Sequence, residues 1–226
     1  GGLVTGRLAI SAVFVQFDCG FQIASDDVGE DHLTDGRERL SPGEGFIDTG
    51  KDRIVIDTGI GEKWSTKEIE MYGIRRERHF AQTLFEKTGC RPEDISIVIN
   101  THLHFDHAGG NTVYRGQFSE DRDQLAAGIP HSEFWIPQFP NARYLVSKNE
   151  LDHAENPHER DRASYLPENW RPVQESGQLE LMPDEHEPVL GLKLQTERGH
   201  SETMQTWRLD RRGKTMYGFA DLIPTR

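Results

Sequence analysis

Residues 101–110 read THLHFDHAGG and hold three of the chain's ten histidines within six positions, together with one aspartate. His102, His104, Asp106 and His107 offer imidazole nitrogens and a carboxylate oxygen, the donors that zinc and related divalent metals take. In a tight turn, residues two apart both aim inward, so His102 and His104 can grip one ion. Asp106 and His107 then face a neighbouring position about 3.5–4 Å away, the separation used in two-metal hydrolytic sites. The competing reading is a polar, partly solvated loop that binds nothing; four donor residues packed so closely speak against it. Neither cysteine lies beside a histidine motif, and such a site needs no serine or cysteine nucleophile.

A loop of this kind must be set at the end of something rigid. DISIVIN precedes it, a short apolar run after Pro92 that reads as a buried strand. The histidines begin at its carboxyl end, where ligands of open α/β sheets collect. Upstream, FIDTGKDRIVIDTGIG repeats an apolar-Ile-Asp-Thr-Gly unit at 46–50 and 55–59. Gly50, Lys51 and Asp52 supply a turn between the copies, so the pair reads as a hairpin. In the second arm Ile54, Val55 and Ile56 mark a buried strand. Over 76–87, Phe80, Leu84 and Phe85 are placed on one face of a helix, with Gly89 at its stop.

Farther on, ARYLVS reads as a strand. Ser147 and Glu150 form a capping box that opens a helix through His153. LGLKLQT alternates as a strand does, and TMQTWRLD, a turn at Arg212 and Gly213, and KTMYGFAD make a last hairpin. Residues 20–44, rich in charge and glycine, receive no element. The order predicts one mixed α/β layered domain over 1–226.

Composition narrows the partners. A net charge of −12 argues against nucleic acid, which needs clustered Lys and Arg. Cys19 and Cys90 form no CxxC or disulfide framework, which fits a reducing cytoplasm. No apolar run reaches membrane-spanning length. GRLAISAVFV, near the start, reads as a core strand in preference to the end of a signal peptide.

IVIDTGIG, THLHFDHAGG, GHS and GFADLIPT, in this order over 54–225, resemble the metallo-β-lactamase superfamily of metallohydrolases. HxHxDH is the most specific of these elements. The resemblance implies a four-layered αββα sandwich with a metal site at one edge of its two sheets. It implies that His102, His104 and His200 bind a first divalent metal, that Asp106 and His107 bind a second, and that Asp221 bridges them. Zinc is the default ion, with iron, manganese and cobalt as alternatives. Asp57 would support the metal loop from behind, and Gly109 and Gly110 would let the backbone turn sharply beside the ions. A bound ion lowers the pKa of water from 15.7 to roughly 7, giving a hydroxide that attacks an ester carbonyl or phosphorus. Asp106 would then shuttle the proton to the leaving group.

Within the superfamily the motifs look closest to the branch of N-acyl homoserine lactonases and methyl parathion hydrolases. Lactonases commonly carry a tyrosine three residues after the bridging aspartate; Pro224 stands there, which leans the reading toward phosphotriesterase or general esterase activity. A superfamily nuclease and a non-catalytic metal-binding scaffold are the alternatives. No histidine follows Asp221, so the expectation is a loosely held second ion and a natural chain continuing beyond Arg226.

The other histidines draw structural readings. His153 and His158 are placed on the surface, His186 in an acidic loop, and His79 on the amphipathic helix; His32 and His131 are left open. Phe134, Trp135 and Phe139 read first as core and second as walls of an apolar substrate pocket. A small-molecule substrate and a homodimer complete the expectations.

Overall fold

The structure is a computed structural model that describes residues 13–16, 45–74, 78–115, 135–211 and 213–222. Strands β2 (Gly45–Asp48) and β3 (Arg53–Ile56) form the expected antiparallel hairpin. Its turn is closed by side chains: Thr49 Oγ1 accepts from the amides of Lys51 and Asp52, and Asp48 Oδ1 accepts from Gly50. Gly50 has a φ of 83°, which glycine adopts at little cost. Strand β4 (Ile97–Ile99) lies parallel to β3, and β7 (Arg143–Ser147) and β8 (Leu179–Met182) extend the parallel run. Strand β1 (Val13–Gln16) pairs with β2, giving a six-stranded sheet in the order β1-β2-β3-β4-β7-β8.

A second, antiparallel sheet is built from β9 (Glu185–Val189), β10 (Leu192–Thr196), β11 (Gln205–Arg211) and β12 (Lys214–Gly218), in the order β12-β11-β10-β9. A two-stranded ribbon, β5 (Thr112–Tyr114) with β6 (Trp135–Pro137), stands apart from both sheets. Alternation along the strands sorts the core into two layers. Ile47, Ile54, Ile56, Ile97, Ile99 and Leu145 pack against Leu192, Leu194, Trp207 and Leu209 of the second sheet. Phe46, Val55, Val98 and Tyr144 point the other way, onto Phe80, Leu84, Phe139 and Val173. Each such fully buried side chain contributes about 1.5–3 kcal/mol.

Five helices are described: α1 (Thr66–Tyr72), α2 (Phe80–Thr88), α3 (Phe105–Ala108), α4 (Lys148–Glu155) and α5 (Arg171–Glu175). Through Phe80, Leu84 and Val173, α2 and α5 cover the outer face of the six-stranded sheet. No described helix is long and apolar enough to cross a membrane.

Several expectations need correction. Helix α2 begins at Phe80 and buries only Phe80 and Leu84; Phe85 is 48% exposed, beneath the Arg91 guanidinium. The fifth position lies about 100° further round the helix than the fourth, past the edge of the buried face. His79 precedes that helix and sets Nδ1 2.6 Å from Glu62. His153 is not a surface residue: its side chain is 10% exposed and its Nε2 lies 2.8 Å from Asp161. His186 lies in β9, its Nδ1 3.0 Å from the Pro183 carbonyl, and not in a loop.

His158 is exposed as expected. Phe139 is core, against Phe80 and Tyr144. Cys90 is buried and unpaired. The calls on Cys19, His32, His131, Phe134, Pro224 and residues 20–44 fall outside the described residues.

Candidate metal centre

Parallel strands β3 and β4 end side by side, which brings Asp57 against the start of the histidine loop. Asp57 holds the left-handed backbone conformation, φ 52°, a strain of order 1–3 kcal/mol for a residue with a Cβ. In that position its fully buried carboxylate accepts the Thr101 amide at 2.8 Å and the Thr101 hydroxyl at 2.7 Å, and meets His107 Nδ1 at 3.0 Å. The Thr101 hydroxyl, having given its proton to Asp57, can accept from His102 Nδ1 at 3.1 Å. That arrangement leaves a lone pair on His102 Nε2, which is buried without a hydrogen-bond partner.

The loop packs against the backbone that follows β3. Thr58 N–H donates to the His107 carbonyl at 2.7 Å, and Gly110 N–H to the Gly59 carbonyl at 3.1 Å. The role expected for Gly109 and Gly110 is corrected here. Neither has a positive φ; what excludes a side chain is close approach. A Cβ on Gly109 would lie 2.2 Å from the Ile60 carbonyl oxygen, and one on Gly110 2.3 Å from that of Thr58. Beneath them Asn100 and Asn111 exchange side-chain amide hydrogen bonds at 2.9 and 3.2 Å, and Thr58 adds one to Asn111 at 3.0 Å.

The second sheet supplies the remaining donors at the same edge. His200 lies in the connection from β10 to β11, and Asp221 in a short turn of 3-10 helix, Ala220–Leu222, after β12. His200 Nε2 is 3.0 Å from His104 Nδ1 and 3.4 Å from Asp221 Oδ2. His107 Nε2 is 3.2 Å from Asp221 Oδ1. Two donor groups result, His102/His104/His200 and His102/His107/Asp221, the donor atoms of each lying within 4.8 Å of one another.

Every site residue expected from the sequence is thus brought together except Asp106. It belongs to neither group and sits at the rim, 37% exposed, with its carboxylate 3.9 Å from His107 Nε2. It lies on one turn of helix α3, where its direction follows the helix and not the loop.

Charge explains why the group suits a cation. Burial, then the charges of neighbouring histidines, holds His102 well below the usual imidazole range, and the same causes bring His104 to about 4. Both therefore present neutral nitrogens at ordinary pH. Burial opposes charge on His107 as well, but the carboxylates of Asp57, Asp221 and Asp106 outweigh it and push that ring well above its usual value. Asp221 is disfavoured as an anion by burial, yet His107, His200 and His104 hold it below the ordinary carboxylate range. The neutral imidazoles of His102 and His104, whose Nε2 atoms are buried without partners, and the ionised Asp221 fit a divalent ion, which would take the place of the His107 proton.

Sequence reasoning missed Glu150 and Tyr165. Glu150 is fully buried, and its carboxylate accepts the Leu103 amide at 2.6 Å instead of closing the capping box on Ser147. Only the half from the Glu150 amide to Ser147 Oγ forms, at 3.0 Å. The ring of Tyr165 lies edge-on to His104, centroids 4.7 Å apart. Beside the loop, Trp64, Tyr72 and Phe105 meet at 5.3–5.8 Å and, with Leu166 and Lys63, line a cavity of about 110 Å³. Of the described aromatics in the 134–139 stretch, Trp135 packs on Tyr114 and Phe139 lies in the core, and neither lines this cavity.

Comparison with known proteins gives the family and the fold. Residues 45–196 match the family model for the metallo-beta-lactamase superfamily, about two thirds of the chain. The chain belongs to the metallo-beta-lactamase superfamily. The superfamily match includes the IDTG strand and the HxHxDH loop and stops short of His200 and Asp221, which the structure adds. An N-acyl homoserine lactonase of Bacillus cereus is 32% identical over 78 residues, 30% of this chain and 31% of that protein. Another, from Bacillus sp., is 27% identical over 119 residues, 47% of each.

Among solved structures, a probable metal-dependent hydrolase from Staphylococcus aureus superposes with a TM-score of 0.63 at 28% identity, over 77% of this chain and 55% of that one. AidC, a dizinc quorum-quenching lactonase, superposes at 0.54 with 18% identity, over 77% of this chain and 54% of that one, a likeness of fold. The chain spans about half, or less, of the length of these relatives.

Proposed function

We propose that this chain carries the site of a dinuclear metal-dependent hydrolase acting on small uncharged esters and lactones, with phosphotriesters as the next class. The observation that supports it best is the pair of donor groups that share His102, with Asp221 of the second group 3.4 Å from His200 of the first. In this reading His102, His104 and His200 hold one divalent ion, His107 and Asp106 hold the other, and Asp221 lies between them. Zinc is the first choice for a site of imidazoles and carboxylates. A divalent ion there lowers the pKa of water toward about 7 and polarises an acyl or phosphoryl oxygen.

The chain's own residues do the rest. Asp57 fixes the Thr101 backbone and the His107 ring, so the donor nitrogens are aimed before any substrate arrives. Asp106, on the solvent side, is the carboxylate that moves a proton to the leaving oxygen. The cavity of Trp64, Tyr72 and Phe105 takes the apolar part of the substrate.

Relatives named N-acyl homoserine lactonase support lactones as a substrate class. A net charge of −12 disfavours the nuclease reading, because polyanions are repelled. The test is a panel of aryl esters, N-acyl homoserine lactones, phosphotriesters and RNA, run on metal-loaded and chelator-stripped protein. Metal-dependent turnover of a neutral ester or lactone is expected. RNA cleaved faster than every ester would reverse the reading, and no metal-dependent hydrolysis at all would leave the scaffold.

A further inference from the structure

Glu150 occupies the third position of α4, where a capping box would turn its carboxylate back to Ser147. The helix start keeps the other half of the box without it, since Ser147 Oγ accepts the Glu150 amide. The carboxylate instead faces the metal loops. One oxygen accepts the Leu103 amide at 2.6 Å, and the other accepts the Thr203 hydroxyl. Leu103 stands between His102 and His104, and Thr203 stands three residues after His200. The Leu103 amide belongs to the peptide that joins it to His102, so its direction sets how the two flanking imidazoles leave the backbone.

The same junction is closed by the Gln205 amide, which donates to the Thr101 carbonyl at 2.8 Å, and by the Tyr165 ring against His104. A buried carboxylate is costly unless its oxygens are satisfied. Burial pushes Glu150 up to about 7, partly offset by the Thr203 and Leu103 hydrogen bonds. A helix cap alone gives no reason to bury a carboxylate at this position.

We propose that Glu150 is a positioning residue: by holding the Leu103 amide on one oxygen and the Thr203 hydroxyl on the other, it sets the spacing between the His102–His104 pair and His200. This rests on the metal site proposed above. It requires that loss of the carboxylate act on the ion held by those three histidines, while α4 stays capped by Ser147.

The test compares Glu150→Gln, Glu150→Leu and Thr203→Val. Glutamine keeps an acceptor for Leu103 and gains an NH₂ that can donate to Thr203 Oγ1, so it preserves both links without charge. Leucine fills the space and preserves neither. Zinc affinity of the stripped proteins is read by competition with a chromogenic chelator, beside helix content and the unfolding midpoint.

Glu150→Leu is expected to weaken zinc by about 10–100-fold with helix content unchanged, and Glu150→Gln to restore affinity to within a few-fold. Thr203→Val, which removes one link at a half-buried position, is expected to weaken zinc several-fold with an unchanged unfolding midpoint. It carries the test if Glu150→Leu does not fold. Wild-type affinity in Glu150→Leu or in Thr203→Val, or a glutamine variant as weak as the leucine one, overturns the inference while leaving the metal site standing. A wild-type protein that binds no zinc overturns both.

Discussion

Asp57 Oδ2 lies 3.0 Å from Nδ1 of His107, and the same carboxylate holds the amide and hydroxyl of Thr101, so one buried group aims both ends of the histidine loop. The relationship crosses from the end of one strand to the end of its parallel neighbour. It selects the nitrogen that His107 turns toward Asp221. Such support from behind is how metal sites fix the orientation of their imidazoles.

Asp57→Ala should therefore hurt twice. It strands buried donors on Thr101 and His107, at about 1–3 kcal/mol for each group left unsatisfied. It should also weaken metal binding by about 10–100-fold. Urea unfolding and chelator competition on the same preparation check both; a variant with wild-type metal affinity would show that Asp57 aims nothing.

Gly109→Ala should destabilise the fold, because the new Cβ would lie 2.2 Å from the Ile60 carbonyl oxygen and backbone must move to admit it. A cost of about 1–3 kcal/mol is expected from such overpacking. Gly177→Ala is the control. That glycine has a φ of 76° but open space around it, so only the left-handed penalty of roughly 1–2 kcal/mol applies. The two variants separate further in metal affinity, which only Gly109→Ala should lower.

Lys63 carries a pH signature. Its ammonium donates to Thr112 Oγ1 at 2.5 Å, and burial lowers its pKa from 10.5 to about 7, against an opposing pull from Glu168. A base depressed in the folded state contributes stability that is present above the unfolded value and lost as pH falls toward the folded one. Wild-type stability relative to Lys63→Met should thus rise as pH is raised from 7 to 10.5 and stay flat below 7. Unfolding midpoints of both proteins across that range give the slope; a constant difference would mean that the lysine titrates as it does in water.

Asn111→Leu should cost about 1–3 kcal/mol, since Asn100 and Thr58 lose the partner that satisfies them in a fully buried place. Thermal unfolding reads this directly. An unchanged midpoint would place the Asn pair outside the support of the loop.

Much of this was legible in the residues themselves. The β-branched run at 54–56, the Gly50 turn and the run at 97–99 needed only local rules, because strand alternation and turn chemistry are local. His102, His104 and His107 declared themselves by spacing. His200 and Asp221 did not, since they arrive from the second sheet, and family resemblance alone pointed to them. Asp106 was named by the same spacing, but the single helical turn of α3 sets its carboxylate at the rim, 3.9 Å from His107 Nε2 and outside both donor groups. Glu150 was misread because its partner lies 47 residues away, beyond the reach of a capping rule. Gly109 and Gly110 do lie in a tight turn of 3-10 helix, but without a positive φ; the close pass of the Ile60 and Thr58 carbonyls, which is what requires glycine there, exists only after folding.

The central claim is that the two donor groups sharing His102 are a metal site and that hydrolysis depends on it. Zinc titrated calorimetrically into chelator-stripped wild type and His102→Ala, with ester hydrolysis followed at each addition, tests it most directly. The account predicts two ions per wild-type chain, the tighter one held by His102, His104 and His200, with hydrolysis rising as they bind. It predicts loss of the tight ion and nearly all hydrolysis in His102→Ala. Equal zinc affinity and equal hydrolysis in the two proteins would contradict it.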